Sequence, residues 1–201
     1  MVDPQVSTNP LRAKLNAALT RQDFDGALPF AQELVGILEV EGSGAAELAV
    51  ALHSLATISF ERGDIEAAME PLTRSVELFS DLGDEQARNR SAAVLTMAEI
   101  TRAVDDYGSA ASLFRRVLTD LQGISAASPD DAVWLNVVYA RALYGLGGCQ
   151  ISTGDKIAAA ASLDACEVAF EAAYGSAPDL LAQVRSDLAG ARALLGSSNG
   201  R

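Results

Sequence analysis

"RGDIEAAMEPL", residues 62–72, sets a Gly-Asp pair between two apolar stretches, with alanine four residues after Asp64 and leucine eight after it. The same punctuation recurs in QDFDGALPFA (22–31), DDYGSAASLF (105–114) and GDKIAAAASL (154–163). The anchoring aspartates are Asp23, Asp64, Asp106 and Asp155, spaced 41, 42 and 49 residues apart. Ala27, Ala68, Ala110 and Ala159 follow at the fourth position, and Ala31, Leu72, Phe114 and Leu163 at the eighth. A unit that returns four times in register points to a stack of like pieces.

Upstream of each turn, apolar residues recur at helical spacing. They are Leu11, Leu15 and Leu19, then Leu52, Leu55 and Ile58, then Val94, Met97 and Ile100, then Leu143 and Leu146. A short turn sends the next helix back antiparallel, and alanine at its first inward position lets the two backbones close up. One such hairpin buries only part of its apolar surface, so neighbours must stack to complete a core. Helices are expected near 10–21, 25–40, 44–61, 66–81, 85–103, 108–122, 129–152 and 157–174, with a ninth at 178–195 capping the last apolar face. Pro10, Pro129 and Pro178 fit the first helical position, Pro29 and Pro71 fall near helix starts, and Ser43 and Asp84 suit N-caps. The expected organisation is a flexible 1–9, a single domain over 10–196 and a disordered 197–201. Within that domain the repeats run near 10–42, 44–82, 84–124 and 129–175.

Composition agrees with an all-α protein. Apolar residues make up 49% of the 201 and aromatics only 5%, which suits close-packed helices better than sheets. The net charge of −12 lacks the basic footprint that phosphate binding requires, so nucleic acid is not an expected partner. Acidity keeps an alanine-rich surface soluble and leaves room for a basic partner. Residues 1–10 show neither a basic nor an apolar signal region. The run AVWLNVVYARAL is shorter than the roughly 18 apolar residues of a membrane span and contains Asn136 and Arg141. With two cysteines in all, a cytoplasmic protein is expected, and the Arg, Ala and Gly usage suggests a bacterial one.

The pattern resembles the tetratricopeptide repeat (TPR). In LHSLATISFERGDIEAAMEPLTRSVELF, the residues Leu52, Leu55, Ala56, Gly63, Asp64, Ala68, Leu72 and Ser75 fall on that family's signature positions. Val94, Met97, Ala98, Tyr107, Ala110, Phe114 and Val117 do so in the third copy. Leu143, Leu146, Gly147, Gly154, Ala159, Leu163 and Cys166 do so in the fourth. In the first copy Leu15 replaces the usual small residue, though Phe24 and Ala27 fit. The spacing near 42 is similar to the long repeats of kinesin light chain, and the likeness covers residues 10–175 or so. It implies a right-handed superhelical array of antiparallel helix pairs, with the first helix of each pair lining a concave face.

On that face the resemblance places Arg12 and Asn16, then His53, Thr57, Phe60 and Glu61, then Leu95, Glu99 and Arg102, and finally Arg141 and Tyr144. A few polar side chains over an apolar floor suit a peptide groove. Arg12 and Asn16 also resemble part of the carboxylate clamp of chaperone-tail-binding members, but Ser54, Ala92 and Thr96 occupy its other positions, so that clamp is incomplete.

No catalytic, metal or cofactor motif stands beside the repeats. His53 is the lone histidine, and nothing around it in the sequence supplies a nucleophile and an orienting acid. Cys149 and Cys166 read as small buried thiols. GLGGCQ (145–150) lies within a helical pattern, so its glycines serve close packing or a kink rather than phosphate binding. Trp134 and Tyr139 are expected to cover the neighbouring helix pair. The expected function is a non-enzymatic adaptor or scaffold holding a protein segment in its groove, as a monomer or closed dimer. A ligand-responsive sensor and a self-associating structural protein are the alternatives.

Overall fold

The computed structural model describes residues 4–42, 44–175 and 177–196, with the backbone alone for residues 4–7. The described residues form nine α-helices and no strand: α1 (Pro4–Thr20), α2 (Phe24–Glu41), α3 (Ala45–Glu61), α4 (Ile65–Asp81), α5 (Ala87–Ala103), α6 (Tyr107–Gln122), α7 (Pro129–Thr153), α8 (Lys156–Tyr174) and α9 (Pro178–Gly196). A 3₁₀ turn, Asp84–Gln86, precedes α5. The chain divides into two compact units, Met1–Ala93 and Val94–Arg201, with the boundary inside α5.

The four repeated aspartates explain the hairpins. Asp23, Asp64, Asp106 and Asp155 are the N-caps of α2, α4, α6 and α8. Each carboxylate accepts from the amide three residues on, those of Gly26, Ala67, Ser109 and Ala158, at 2.9–3.1 Å. The same residue also closes the helix before it. Its own amide donates to the carbonyl five residues back, that of Ala18, Ser59, Thr101 or Gln150. The residue just before each aspartate is left-handed: Gln22 at φ 56°, Gly63 at 80°, Asp105 at 63° and Gly154 at 85°. This is the Schellman arrangement, in which one left-handed residue lets two late amides recover orphan carbonyls. One aspartate therefore ends one helix and starts the next.

In unit 1, α1 packs on α2, α2 on α3 and α3 on α4. Ala27 and Ala68 are fully buried, as are Ala31 and Leu72 at the eighth position. Leu11, Leu15, Leu34, Leu38, Leu52 and Ile58 fill the core, with Leu19 and Leu55 partly buried against it. The Ser75 hydroxyl donates to the Ala49 carbonyl at 2.7 Å, fixing the register of α4 against α3 inside this core. Alternate helices are stitched by ion pairs, Arg12 of α1 to Glu47 of α3 at 3.3 Å and Arg74 of α4 to Glu39 of α2 at 2.6 Å.

In unit 2, α6, α7, α8 and α9 pack in succession and α9 also touches α7. Ala110, Phe114, Ala159 and Leu163 are fully buried. The glycines of α7 are used for packing. A Cβ on Gly145 would stand 2.2 Å from the Phe114 ring, and one on Gly147 would stand 3.0 Å from Leu163. The Ser162 hydroxyl donates to the Gln150 side-chain carbonyl at 2.8 Å, both residues being buried. Ser128 caps α7 by accepting from the Asp131 amide, with Pro129 opening the helix. The 25 residues of α7 account for the long third interval. Tyr139 packs on the unit 2 core, and Trp134 is half-buried.

Several details differ from the sequence expectation. α1 starts at Pro4 and carries Pro10 within it, so Pro10 removes a backbone hydrogen bond instead of opening the helix. Thr8, two residues before Pro10, is buried at 4%. Pro29 and Pro71 lie in the second turns of α2 and α4, past the first-turn positions where proline is neutral. Asp84 begins the 3₁₀ turn and does not cap α5 directly. Ser43 and the tail 197–201 fall outside the described residues.

Candidate functional site

The first helices of unit 2 present a recess of about 260 Å³. α5 supplies Glu99 and Arg102, α7 supplies Arg141, Tyr144 and Gly145, α8 supplies Phe170, and α9 supplies Val184, Asp187 and Leu188. A larger and more polar hollow of about 730 Å³ shares Arg102, Tyr144 and Asp187 with it. That hollow also takes in Asp105 and Tyr107 at the α5–α6 turn, Ser152 of α7, and Gly190 and Leu194 of α9. Tyr107 donates its hydroxyl to Asp105, and this bond to a carboxylate pushes its phenol up.

Helical spacing puts these side chains on one side. Arg141, Tyr144 and Gly148 follow each other at three- and four-residue steps on α7, as do Val184, Asp187 and Ala191 on α9. Arg141 is held in place, its guanidinium donating to both Glu99 oxygens at 2.8 and 2.9 Å. Arg102 is exposed, and its side chain makes no ion pair among the described residues. The recess thus combines a neutralised pair, one available cation, one carboxylate on Asp187 and an apolar floor of Phe170, Val184 and Leu188.

Four residues singled out from the sequence, Glu99, Arg102, Arg141 and Tyr144, come together here. Leu95 does not: it is 2% exposed and belongs to the interior. α5 buries Ala93, Val94, Leu95, Thr96, Ala98 and Ile100, more of its circumference than a single apolar stripe would, and that removes Leu95 from the surface. In unit 1, Arg12 is engaged by Glu47 and Asn16 is exposed on the same helix. His53, Thr57 and Phe60 are half-buried on α3, with the Thr57 hydroxyl bonded back to the His53 carbonyl. Glu61 lines a separate recess at the turn, with Phe24, Asp25 and Arg62.

The α9 contribution was not singled out in the sequence, where that helix reads only as a cap. A signal was present. Val184, Asp187 and Leu188 lie 43 residues after Arg141, Tyr144 and Gly145, close to the repeat interval. α9 therefore stands where the first helix of a further pair would stand.

Other reactive groups are quiet. Cys149 and Cys166 are fully buried free thiols, and burial pushes both up, Cys166 to about 12. Thiols held protonated are poor nucleophiles. Among the described residues no cluster of His, Cys, Asp or Glu is arranged to hold a metal ion. No described helix is long and apolar enough to cross a membrane.

The repeated hairpins, their shared caps and the pairing of first helices within each unit, α1 with α3 and α5 with α7, define a TPR-like helical-repeat fold. Solved structures of that architecture bear this out. BtubC (BKLC) from P. vanneervenii superposes with a TM-score of 0.72 at 18% identity, over 86% of this chain and 66% of that one. The present chain thus spans just under two thirds of BtubC. The nearly identical TPR-like repeats of a candidate kinesin light chain from Podosopora anserina match over the whole of both chains, with a TM-score of 0.56 at 15% identity. At these identities the likeness is one of fold. No family model and no curated protein matches the sequence.

Proposed function

We propose that the chain is a non-enzymatic interaction module, an adaptor or scaffold, that holds a segment of another protein in the unit 2 groove. The observation that carries this is the convergence of Glu99, Arg102, Arg141 and Tyr144 with Phe170, Val184 and Leu188 on one recess. Glu99 fixes Arg141 as a rigid rim, so Arg102 supplies the charge that a ligand can still use. A fitting segment places an apolar side chain on the floor and a carboxylate near Arg102. The net charge of −12 favours basic partners at long range. Screening over about 8 Å at physiological salt leaves the local guanidinium to decide the contact.

The test is selection of peptides from a displayed random library on wild type, followed by binding of the winners to Arg102→Glu. Arg102→Glu is the sound variant because Arg102 makes no ion pair among the described residues. Arg141→Glu would set two carboxylates against each other and disturb the rim. Winners should be enriched in carboxylates and lose at least tenfold in affinity to Arg102→Glu, about 1.4 kcal/mol, with helicity unchanged. Equal binding by both proteins would remove the groove assignment.

A further inference from the structure

α9 is held on unit 2 by an apolar stripe and joined to α8 by a ladder of ion pairs. Leu181 and Leu188 are buried and Val184, Ala191 and Leu195 pack partly buried against the unit 2 core, while Leu180 and Leu194 stay more than half exposed. Arg185 reaches Glu171 at 2.6 Å and Glu167 at 3.4 Å. Arg192 reaches Glu167 at 2.9 Å and Asp164 at 2.6 Å. Lys156, at the start of α8, donates to the Leu195 carbonyl at 2.9 Å. Asp164, Glu167 and Glu171 share one face of α8 and repel one another unless both guanidiniums are seated between them. Glu167 serves both arginines, so the contacts form a network, the arrangement in which partly exposed ion pairs contribute measurably. Such contacts weaken as salt rises.

The same helix is one wall of the candidate groove, through Val184, Asp187 and Leu188. The opposite wall is anchored differently. α7 is locked by Phe114 against Gly145 and Leu163 against Gly147, contacts that salt does not screen. The α9 wall therefore adds a screenable charge ladder to its apolar stripe, whereas these α7 contacts are packing alone.

We propose that α9 is a salt-sensitive latch on this groove. It separates from α8 as a unit, ahead of any opening of α7 and α8, and Arg185 and Arg192 set how often it does so. Its role in gating the groove rests on the function proposed above, whereas the opening itself does not. Hydrogen exchange on the full chain tests it at low and high sodium chloride, comparing wild type, the double variant Arg185→Gln/Arg192→Gln, and Arg62→Gln. Arg62 pairs with Asp25 in unit 1 and is the control. In wild type, amides of 178–196 should exchange about tenfold faster at high salt. In the double variant they should be fast at both salts, while 143–166 stays protected in every case and Arg62→Gln behaves as wild type. Exchange of α9 that ignores both salt and the double variant would overturn the proposal. So would α9 opening only together with α7 and α8. Failure of the Arg102→Glu comparison would remove the groove and leave this exchange result standing.

Discussion

Asp64 shows how much one side chain does in this fold. Its amide closes α3 on the Ser59 carbonyl and its carboxylate opens α4 at the Ala67 amide. Asp64→Ala should lower stability by about 1 kcal/mol, read by urea unfolding, while Asp64→Asn should cost a few tenths. The left-handed residue before each cap gives a pair of opposite outcomes. Gly154→Ala should lose about 1 kcal/mol, because φ of 85° disfavours a Cβ. Gln22→Gly relieves the same strain at φ 56°, but the freer unfolded chain offsets part of the gain, which should stay below about 1 kcal/mol. Acid should weaken the Asp106 cap. Bonds from the Ser109 amide and hydroxyl hold the Asp106 carboxyl below its ordinary value. Its contribution is complete above the unfolded pKa and is lost as pH falls through the depressed folded one. Asp106→Ala should therefore show a shallower loss of stability on acidification than wild type. Asp and Ala at fixed offsets were legible because the cap and the close approach each accept few residue types. Leu95 was misread because a helix buried around much of its girth gives no single stripe to count.

At the scale of the element, α7 carries the sharpest contrast. Gly145→Ala would drive a methyl into the Phe114 ring and should cost about 1–3 kcal/mol. Gly148→Ala meets no atom within 4 Å and should gain about 0.5–1 kcal/mol from helix propensity, so the two variants should move the melting temperature in opposite directions. The sequence marked these glycines as a packing surface without saying which one, since the partner ring sits on another helix, 31 residues away. The start of α1 was hidden for a local reason: Asn9-Pro10 is a good helix opening in isolation, and burial of Thr8 decides otherwise. α9 was read as a lid on the last apolar face. That it also forms a wall of the groove follows from its place beside α7, which the spacing from Tyr144 to Asp187 hinted at.

For the whole chain, the repeat was fully written in the sequence, because each unit repeats the same local chemistry. The unit 2 recess was legible only in part. The α5 and α7 residues came from the register of the repeat, whereas the apolar floor from α8 and α9 depends on which helices the stack brings together. The proposed function rests on the combination of a seated pair, Arg141 with Glu99, and an available cation, Arg102, over Phe170 and Leu188. The most direct test is to titrate a peptide selected on wild type into isotopically labelled protein and follow its amide resonances. Binding in the groove predicts shifts at Arg102, Tyr144 and Asp187 and their neighbours on α5, α7 and α9, which vanish in Arg102→Glu. Shifts confined to the exposed faces of α6 and α8, unaffected by that substitution, would contradict it.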